Sequence, residues 1–327
     1  MKNINIAVVD SGIDTSDPEI QGKFVYDKDI QIKEIDNIED MLGHGTLCAK
    51  TILERCPDAT IYPVKIFSDE GSIGVSNLIN GLEILKGKDI DIVNISAAMI
   101  SENRLSDLKK VCEDLKKEGK ILIASKYRKS GSMKSYPASF DSVIGVKGYK
   151  RICSDNDYTY DFARENQMYA NGRDRLYMFK GNVTAFGKHS RATALASGII
   201  ADLMCRMNIS KQSEIEKMLR ENSNIGTTYK EKRYMYKKEY IYDYVTAKII
   251  DILNTNFANG KVSMSFIEKN SLINNITGLY GDNVYDFIQM INDELCIDID
   301  WKSIYMYEVE NIYILSHIIH KKINILK

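Results

Sequence analysis

Short apolar runs alternate with segments of helical periodicity over about the first 220 of the 327 residues of this chain. Runs of this length and continuity are typical of strands that are buried on both faces of a sheet. Between them, apolar residues such as Leu78, Leu82 and Leu85 recur on one helix face. The alternation predicts an α/β fold with a parallel sheet and helices on both faces, whose functional site lies at the carboxyl ends of the strands. The predicted strands are 4–9, 60–67, 90–96, 120–125 and 142–147.

The alternation of strands and helices stops near residue 224. The sequence that follows, IGTTYKEKRYMYKKE, is polar, basic and rich in tyrosine, which is typical of a linker. Beyond residue 240 the periodicity is purely helical, in 242–254, 284–295 and 309–319. The sequence therefore predicts three parts, which are a first domain over 1–224, a linker over 225–239 and an all-α domain over 240–327.

Charge and apolar content narrow the class of protein. The net charge of −1 argues against a nucleic-acid partner, and no run approaches the roughly 20 apolar residues of a membrane span. The six cysteines are irregularly spaced and form no CxxC pair, which favours free thiols in a reducing compartment. The apolar run before Asp10 is too short for a signal peptide. We therefore expect a cytoplasmic, soluble protein.

Three polar side chains stand at predicted strand and helix ends. Asp10 directly follows the first strand, His44 lies between two glycines at the start of a helix, and Ser190 begins a helix rich in small residues. Each one taken singly is explained as well by a turn or capping role. Together, an acid, an imidazole and a hydroxyl supply the orienting group, the general base and the nucleophile of a serine hydrolase.

The order Asp, His, Ser along the chain is that of subtilisin. Residues 4 to about 223 resemble the catalytic domain of the subtilase family of serine peptidases. The resemblance implies a three-layer subtilisin-like domain that hydrolyses peptide bonds through an acyl-enzyme on Ser190 and needs no cofactor. The stretches that carry it are VVDSGID at 8–14, HGT at 44–46, YPVKI at 62–66, INGL at 79–82, DIVNIS at 91–96, SYPA at 135–138, VIGV at 143–146 and SRATA at 190–194.

The resemblance also implies where a peptide substrate binds. The substrate lies as an extended strand between Val75–Ser76 and Ser96–Ala98. Val75, Leu78 and Ala97 match the pocket for the fourth substrate residue, and Arg128 and Ser135 fall near the first pocket. The expected substrate-binding residues are therefore Val75, Leu78, Ser96, Ala97, Ala98 and Ser135.

Two departures from the family pattern bear on activity and metal content. The oxyanion asparagine of the family follows the strand that here ends in Ala124, but this chain continues Ser125-Lys126-Tyr127-Arg128. The Ser190 backbone N–H remains, and Lys126, Tyr127 or Ser125 are the replacements at hand. The segment from His44 to Lys65 lacks the length of the family's calcium loop, so we expect no metal there.

The departure in the oxyanion region leaves three functions open. The first is an active endopeptidase of narrow specificity. The second is a pseudoprotease that binds peptides or acts as a scaffold. The third is acyl or peptidyl transfer through the same acyl-enzyme.

The tail over 240–327 weakly resembles an acyl-carrier-protein helical bundle, on GLYGDNVYDF at 278–287 followed by IDID at 297–300. Carriers attach phosphopantetheine to a serine at the position of Asn283. Because an amide does not form the phosphodiester, we expect no prosthetic group, and we interpret Asp282 and Asn283 as helix caps. The tail is then a docking module for a protein partner or a packing extension of the first domain.

Overall fold

The computed structural model describes residues 3–32, 37–100, 103–127, 134–163, 167–223 and 243–325. The chain divides into two compact units, each made of two segments. Unit 1 comprises Met1–Gly172 and Gly187–Thr228, and unit 2 comprises Arg173–Phe186 and Tyr229–Lys327. The predicted linker over 225–239 lies outside the described residues.

A seven-stranded sheet forms the centre of unit 1. Its order is β2-β1-β3-β4-β5-β7-β6, and all neighbouring strands are parallel except β6, which runs antiparallel to β7. The five predicted strands are present, so the predicted α/β fold class is confirmed. The strands are β1 Asn5–Asp10, β2 Thr60–Lys65, β3 Ile92–Ile95, β4 Ile121–Ser125, β5 Val143–Tyr149, β6 Tyr158–Tyr160 and β7 Met168–Asn171.

Helices cover both faces of this sheet. Two of them, α1 and α4, pack against each other and against the strands, while α2 and α3 pack together against the other face. The apolar stripe of α2 and of the turn after it lies in a core with α3, β1 and β3, since Leu78, Leu82 and Leu85 are fully buried. None of the described helices combines the length and the apolar character that a membrane crossing needs. The helices of unit 1 are α1 His44–Arg55, α2 Val75–Glu83, α3 Leu105–Lys117, α4 Lys188–Met207 and α5 Gln212–Glu221.

Unit 2 combines helices with one β-hairpin. Strand β8 (Arg175–Phe179) pairs antiparallel with β9 (Asn182–Phe186), and Leu176 of the hairpin lies in the same apolar core as the helices. The sequence analysis assigned no strand to this unit, although Lys180-Gly181 is a hairpin signal. Both residues have positive φ, 47° and 78°, as a type I′ turn requires. The helices are α6 Asp243–Asn256, α7 Met264–Ile267, α8 Val284–Leu295, α9 Met306–Glu310 and α10 Ile312–Ile325.

The predicted helix over 309–319 is wrong as one element, because two helices meet there. Asn311 between α9 and α10 is extended, with φ −112° and ψ 116°. Its side-chain oxygen accepts hydrogen bonds from the backbone N–H groups of Tyr313 (3.0 Å) and Ile314 (3.2 Å), which caps α10. The apolar period continues across this break, so periodicity alone does not reveal it.

Candidate active site

Asp10 and His44 form a hydrogen-bonded pair at the carboxyl end of β1. Asp10 is the last residue of β1 and is fully buried, whereas His44 is the first residue of α1 and its side chain is 37% exposed. His44 Nδ1 lies 2.8 Å from Asp10 Oδ1. The buried carboxylate therefore accepts a hydrogen bond from Nδ1–H, which leaves Nε2 as the basic nitrogen.

A second carboxylate, Asp40, fixes the turn that presents His44. Its Oδ1 accepts from the Gly43 backbone N–H (2.8 Å) and from the Ser11 hydroxyl (2.9 Å). The Gly45 backbone N–H in turn donates to Ser11 Oγ at 2.9 Å. Asp40 is fully buried, and the sequence analysis missed it. The available signal was an acid at the start of the tight Asp-x-x-Gly turn that precedes the helix.

Glycine at position 45 is required by a close backbone approach. A Cβ added to Gly45 would lie 2.2 Å from the Gly12 carbonyl oxygen and 3.2 Å from Asp10 Cβ. The turn after β1 and the start of α1 therefore touch through backbone atoms, which brings the carboxylate and the imidazole together.

The surroundings of His44 raise its pKa well above the ordinary value of 6.5. Burial, the largest single effect, lowers this pKa, but the raising effects of the Asp10 carboxylate and of Cys48 together outweigh it. The imidazolium is thus stabilised where a general base must take up a proton.

Cys48 is a site residue that the sequence analysis missed. It lies four residues after His44 on the same face of α1, and its Sγ is 3.7 Å from Asp10 Oδ2 and 3.3 Å from Ser96 Oγ. Burial raises the pKa of its thiol, which stays protonated. The atoms of Asp10, His44 and Cys48 that could ligate a metal ion lie within 4.8 Å of one another. The hydrogen bonds among these side chains already account for the cluster.

Ser190 lies in the first turn of α4 and is half-buried. Helix α4 packs against β3, β4, β5 and β7 and against α1, which begins with His44. The Ser197 hydroxyl donates to Asn94 Oδ1 at 2.9 Å, and Asn94 Nδ2 donates to Ser96 Oγ at 3.2 Å. These buried bonds join α4 to the end of β3.

Arg191, the neighbour of Ser190, is fully buried. Its guanidinium pairs with Asp155 at 2.5 Å, and Asn171 Nδ2 donates to the same carboxylate at 2.8 Å. The sequence analysis did not single out this ion pair. The signal was a charged residue directly before the small and apolar stretch 192–201, since a buried charge needs a partner.

The stretch after β4 holds fewer available oxyanion donors than its sequence indicates. The Lys126 backbone N–H donates to the Val146 carbonyl at 3.0 Å, and the Tyr127 backbone N–H donates to Ser135 Oγ at 2.7 Å. The Ser125 hydroxyl donates to the Ser96 carbonyl at 3.1 Å. Donation from Lys126 or Tyr127 therefore has to come from the side chains.

The predicted substrate-binding residues differ in exposure. Val75 and Ala98 are half-buried, Ser96 and Ala97 are buried, and Leu78 lies fully inside the apolar core. Ser135 is also buried, and its hydroxyl oxygen accepts a hydrogen bond from the Tyr127 backbone N–H. Of these residues, Val75 and Ala98 are thus the two that a bound peptide reaches most easily. Arg128 lies outside the described residues.

A parallel α/β sheet with this Asp–His pair at its carboxyl edge has the architecture of a serine hydrolase domain. The family model described as the subtilase family matches residues 1–257, and the chain belongs to that family.

Among curated relatives, the chain is 28% identical over 163 residues to the "Major intracellular serine protease" of Bacillus subtilis, covering 44% of this chain and 50% of the relative. It is 32% identical over 162 residues to "Subtilisin E" of the same species, covering 44% of this chain and 40% of the relative. The chain thus spans about half the length of the curated relatives it matches, or less.

Solved structures share the fold. The structure titled "Crystal Structure of a Lanthipeptide Protease" superimposes with a TM-score of 0.55 at 18% identity, covering 67% of this chain and 79% of that chain. Family and fold therefore agree.

Proposed function

We propose that the protein is a serine endopeptidase that hydrolyses peptide bonds through an acyl-enzyme on Ser190. The observation that carries the proposal is the 2.8 Å bond between His44 Nδ1 and the buried Asp10 carboxylate. Membership of the subtilase family and the place of Ser190 at the start of α4 support the same assignment.

The proposed mechanism uses three side chains of this chain. Asp10 holds His44 in the tautomer whose Nε2 accepts the Ser190 proton, and Ser190 Oγ attacks the peptide carbonyl. His44 then gives this proton to the leaving amine, which leaves the acyl group on Ser190. Water, deprotonated by His44, releases the acid product.

The oxyanion lacks the asparagine donor of the family. The backbone N–H of Ser190 is one donor, and the side chain of Lys126 or Tyr127 is the proposed second. Loss of one oxyanion donor lowers turnover roughly 10²–10³-fold. Generic peptides are then poor substrates, and the rate depends on additional binding contacts. For this reason we propose narrow specificity.

We place the protein in the cytoplasm, in line with the irregular cysteine spacing and the name of its intracellular relative. We also propose that the helices of unit 2 dock a protein partner and carry no prosthetic group. The Asn283 side chain supports the latter, because its Oδ1 accepts from the Tyr280 backbone N–H (2.7 Å) and its Nδ2 donates to the Gly278 carbonyl (2.9 Å).

A fluorophosphonate probe tests the nucleophile directly. We expect the purified protein to gain one adduct mass at Ser190 and the Ser190→Ala variant to gain none. Ser197→Ala is the matched control, because that serine lies on the same helix but is buried, and it should leave labelling intact. A folded wild-type protein that never gains the adduct would contradict the proposal.

The backbone N–H groups of Lys126 and Tyr127 already donate hydrogen bonds within the protein, so they do not stabilise an oxyanion. This observation favours a second candidate function, a pseudoprotease that binds peptides. Such a protein keeps the residues that bind a peptide but does not hydrolyse it. It would show no probe adduct and still bind peptides, with equal affinity in wild type and Ser190→Ala.

A further inference from the structure

Two cysteines outside the active site lie side by side in unit 1. Cys56 follows the last residue of α1, and Cys205 lies in the last turn of α4. Their Sγ atoms are 3.9 Å apart although the residues are separated by 149 positions in sequence. The catalytic mechanism proposed above uses neither thiol.

The packing of α1 on α4 creates this proximity. A Cβ added to Gly198 would lie 2.6 Å from Arg55 Cβ and 2.9 Å from the Ile52 carbonyl oxygen. The two helices therefore touch through backbone about two turns before Cys205. A disulfide has an S–S length of about 2.0 Å, so the sulfur atoms need to approach by about 1.9 Å. Side-chain rotation at the helix ends can supply a movement of this size.

The two thiols differ in access. Cys205 is partly exposed, whereas Cys56 is 3% exposed. Burial raises the pKa of Cys56 to about 12, and the neighbouring Cys205 adds to the increase. Cys205 is therefore the thiol that a soluble oxidant reaches first, and Cys56 is the thiol that resolves the adduct.

We propose that Cys56 and Cys205 form a reversible intramolecular disulfide with a small-molecule disulfide, such as oxidised glutathione, as the oxidant. The Cys205 thiolate attacks one sulfur of the oxidant, which forms a mixed disulfide and releases one thiol. Cys56 then attacks the Cys205 sulfur and loses its proton, which releases the second thiol. The oxidant gains two electrons and the protein loses two hydrogen atoms.

The bond joins α1, which starts with His44, to α4, which carries Ser190 in its first turn. It forms far from the active site, since 12 residues of helix separate Cys56 from His44, about 18 Å at the usual rise. Cross-linking residues so distant in sequence restricts the unfolded chain. The disulfide therefore stabilises unit 1.

The test treats the reduced full chain with oxidised glutathione, blocks remaining thiols with N-ethylmaleimide and maps peptides without reduction. We expect a cross-linked peptide pair containing Cys56 and Cys205, and a rise in Tm of roughly 5–15 °C that dithiothreitol reverses. Cys56→Ser should abolish both results and leave a glutathione adduct on Cys205.

The matched control is the double substitution of the exposed cysteines, Cys153→Ser with Cys296→Ser, which should keep the cross-link and the Tm gain. Folding of each variant is checked by its Tm in the reduced state. The peptide map detects the cross-link directly in the wild type, so this result does not depend on the folding of any variant. The proposal is overturned if N-ethylmaleimide modifies both Cys56 and Cys205 after the oxidation step. A cross-link that joins two chains, or one that leaves Tm unchanged, overturns it as well.

Discussion

In the proposed mechanism, a single hydrogen bond decides which nitrogen of His44 acts as the base. The bond from Nδ1 to Asp10 and the backbone contacts around Gly45 hold the ring in place. A buried carboxylate that accepts this hydrogen bond both selects the tautomer and stabilises the imidazolium. The chemistry at the residue scale therefore depends on an acid that solvent does not reach.

The first prediction concerns Asp10. Asp10→Asn should lower kcat about 10⁴-fold, because an amide favours the wrong imidazole tautomer and no longer balances the imidazolium charge. Peptide hydrolysis and the rate of fluorophosphonate labelling measure the effect. Asp58→Asn, at an exposed position, is the control that should retain activity. Labelling of Asp10→Asn at the wild-type rate would refute the assigned role.

The second prediction concerns pH. The general base acts only when its imidazole is neutral, so protonation of His44 abolishes labelling at low pH. Because its pKa is raised well above 6.5, the acid limb of the pH–rate profile should lie above pH 6.5. The labelling rate of Ser190, followed from about pH 5 to about pH 8, measures this limb. A rate already at its maximum at pH 6.5 would contradict the assignment.

At the scale of elements, buried polar contacts hold the start of α4. The guanidinium of Arg191, the neighbour of Ser190, pairs with Asp155, which Asn171 at the end of β7 also contacts. A buried charge without its partner is strongly unfavourable, so these residues depend on one another. The position of Ser190 thus depends on the loop after β5 as well as on its own helix.

The third prediction follows from this ion pair. Arg191→Met removes the cationic partner of the Asp155 carboxylate and should lower the free energy of unfolding by about 3 kcal/mol. The double variant Arg191→Met with Asp155→Asn should recover part of that loss, because no buried charge remains. Denaturant unfolding measures both. Equal stability of the single variant and the wild type would show that the pair contributes nothing.

At the scale of the whole molecule, the chain leaves unit 1 at Gly172, forms the hairpin of unit 2 and returns at Gly187. The Lys188 backbone N–H donates to the Gly172 carbonyl at 2.9 Å, so the two ends of the insertion are adjacent. Leu176 of the hairpin is buried in the core of the helices. The hairpin is therefore a structural part of unit 2, although it interrupts unit 1 in sequence.

The fourth prediction tests this organisation. A chain that ends at Ser223 keeps the hairpin but lacks the helices that bury Leu176, so we expect it to aggregate and to be cut by trypsin within residues 173–186. Replacing residues 174–185 in the same shortened chain with a short Gly-Ser loop should restore solubility. Solution scattering and limited proteolysis measure both outcomes. A shortened chain with a soluble, protease-resistant hairpin would contradict the expectation.

Much of unit 1 follows from the sequence alone. The period of the apolar residues determines the strands and helices, because burial on a sheet or on a helix face repeats locally along the chain. The positions of Asp10, His44 and Ser190 at element ends follow from the same pattern. The parallel sheet then places the carboxyl ends of its strands at one edge, where Asp10 and His44 meet.

Other features were decided only by the tertiary structure. Cys48, Asp40 and the Arg191–Asp155 pair acquire their roles from neighbours on other elements, and the apolar pattern of the hairpin does not identify the core that covers it. The engagement of the Lys126 and Tyr127 N–H groups likewise depends on β5 and Ser135. Hydrogen bonds and side-chain contacts between distant segments leave no periodic trace in a sequence, so only the folded chain reveals them.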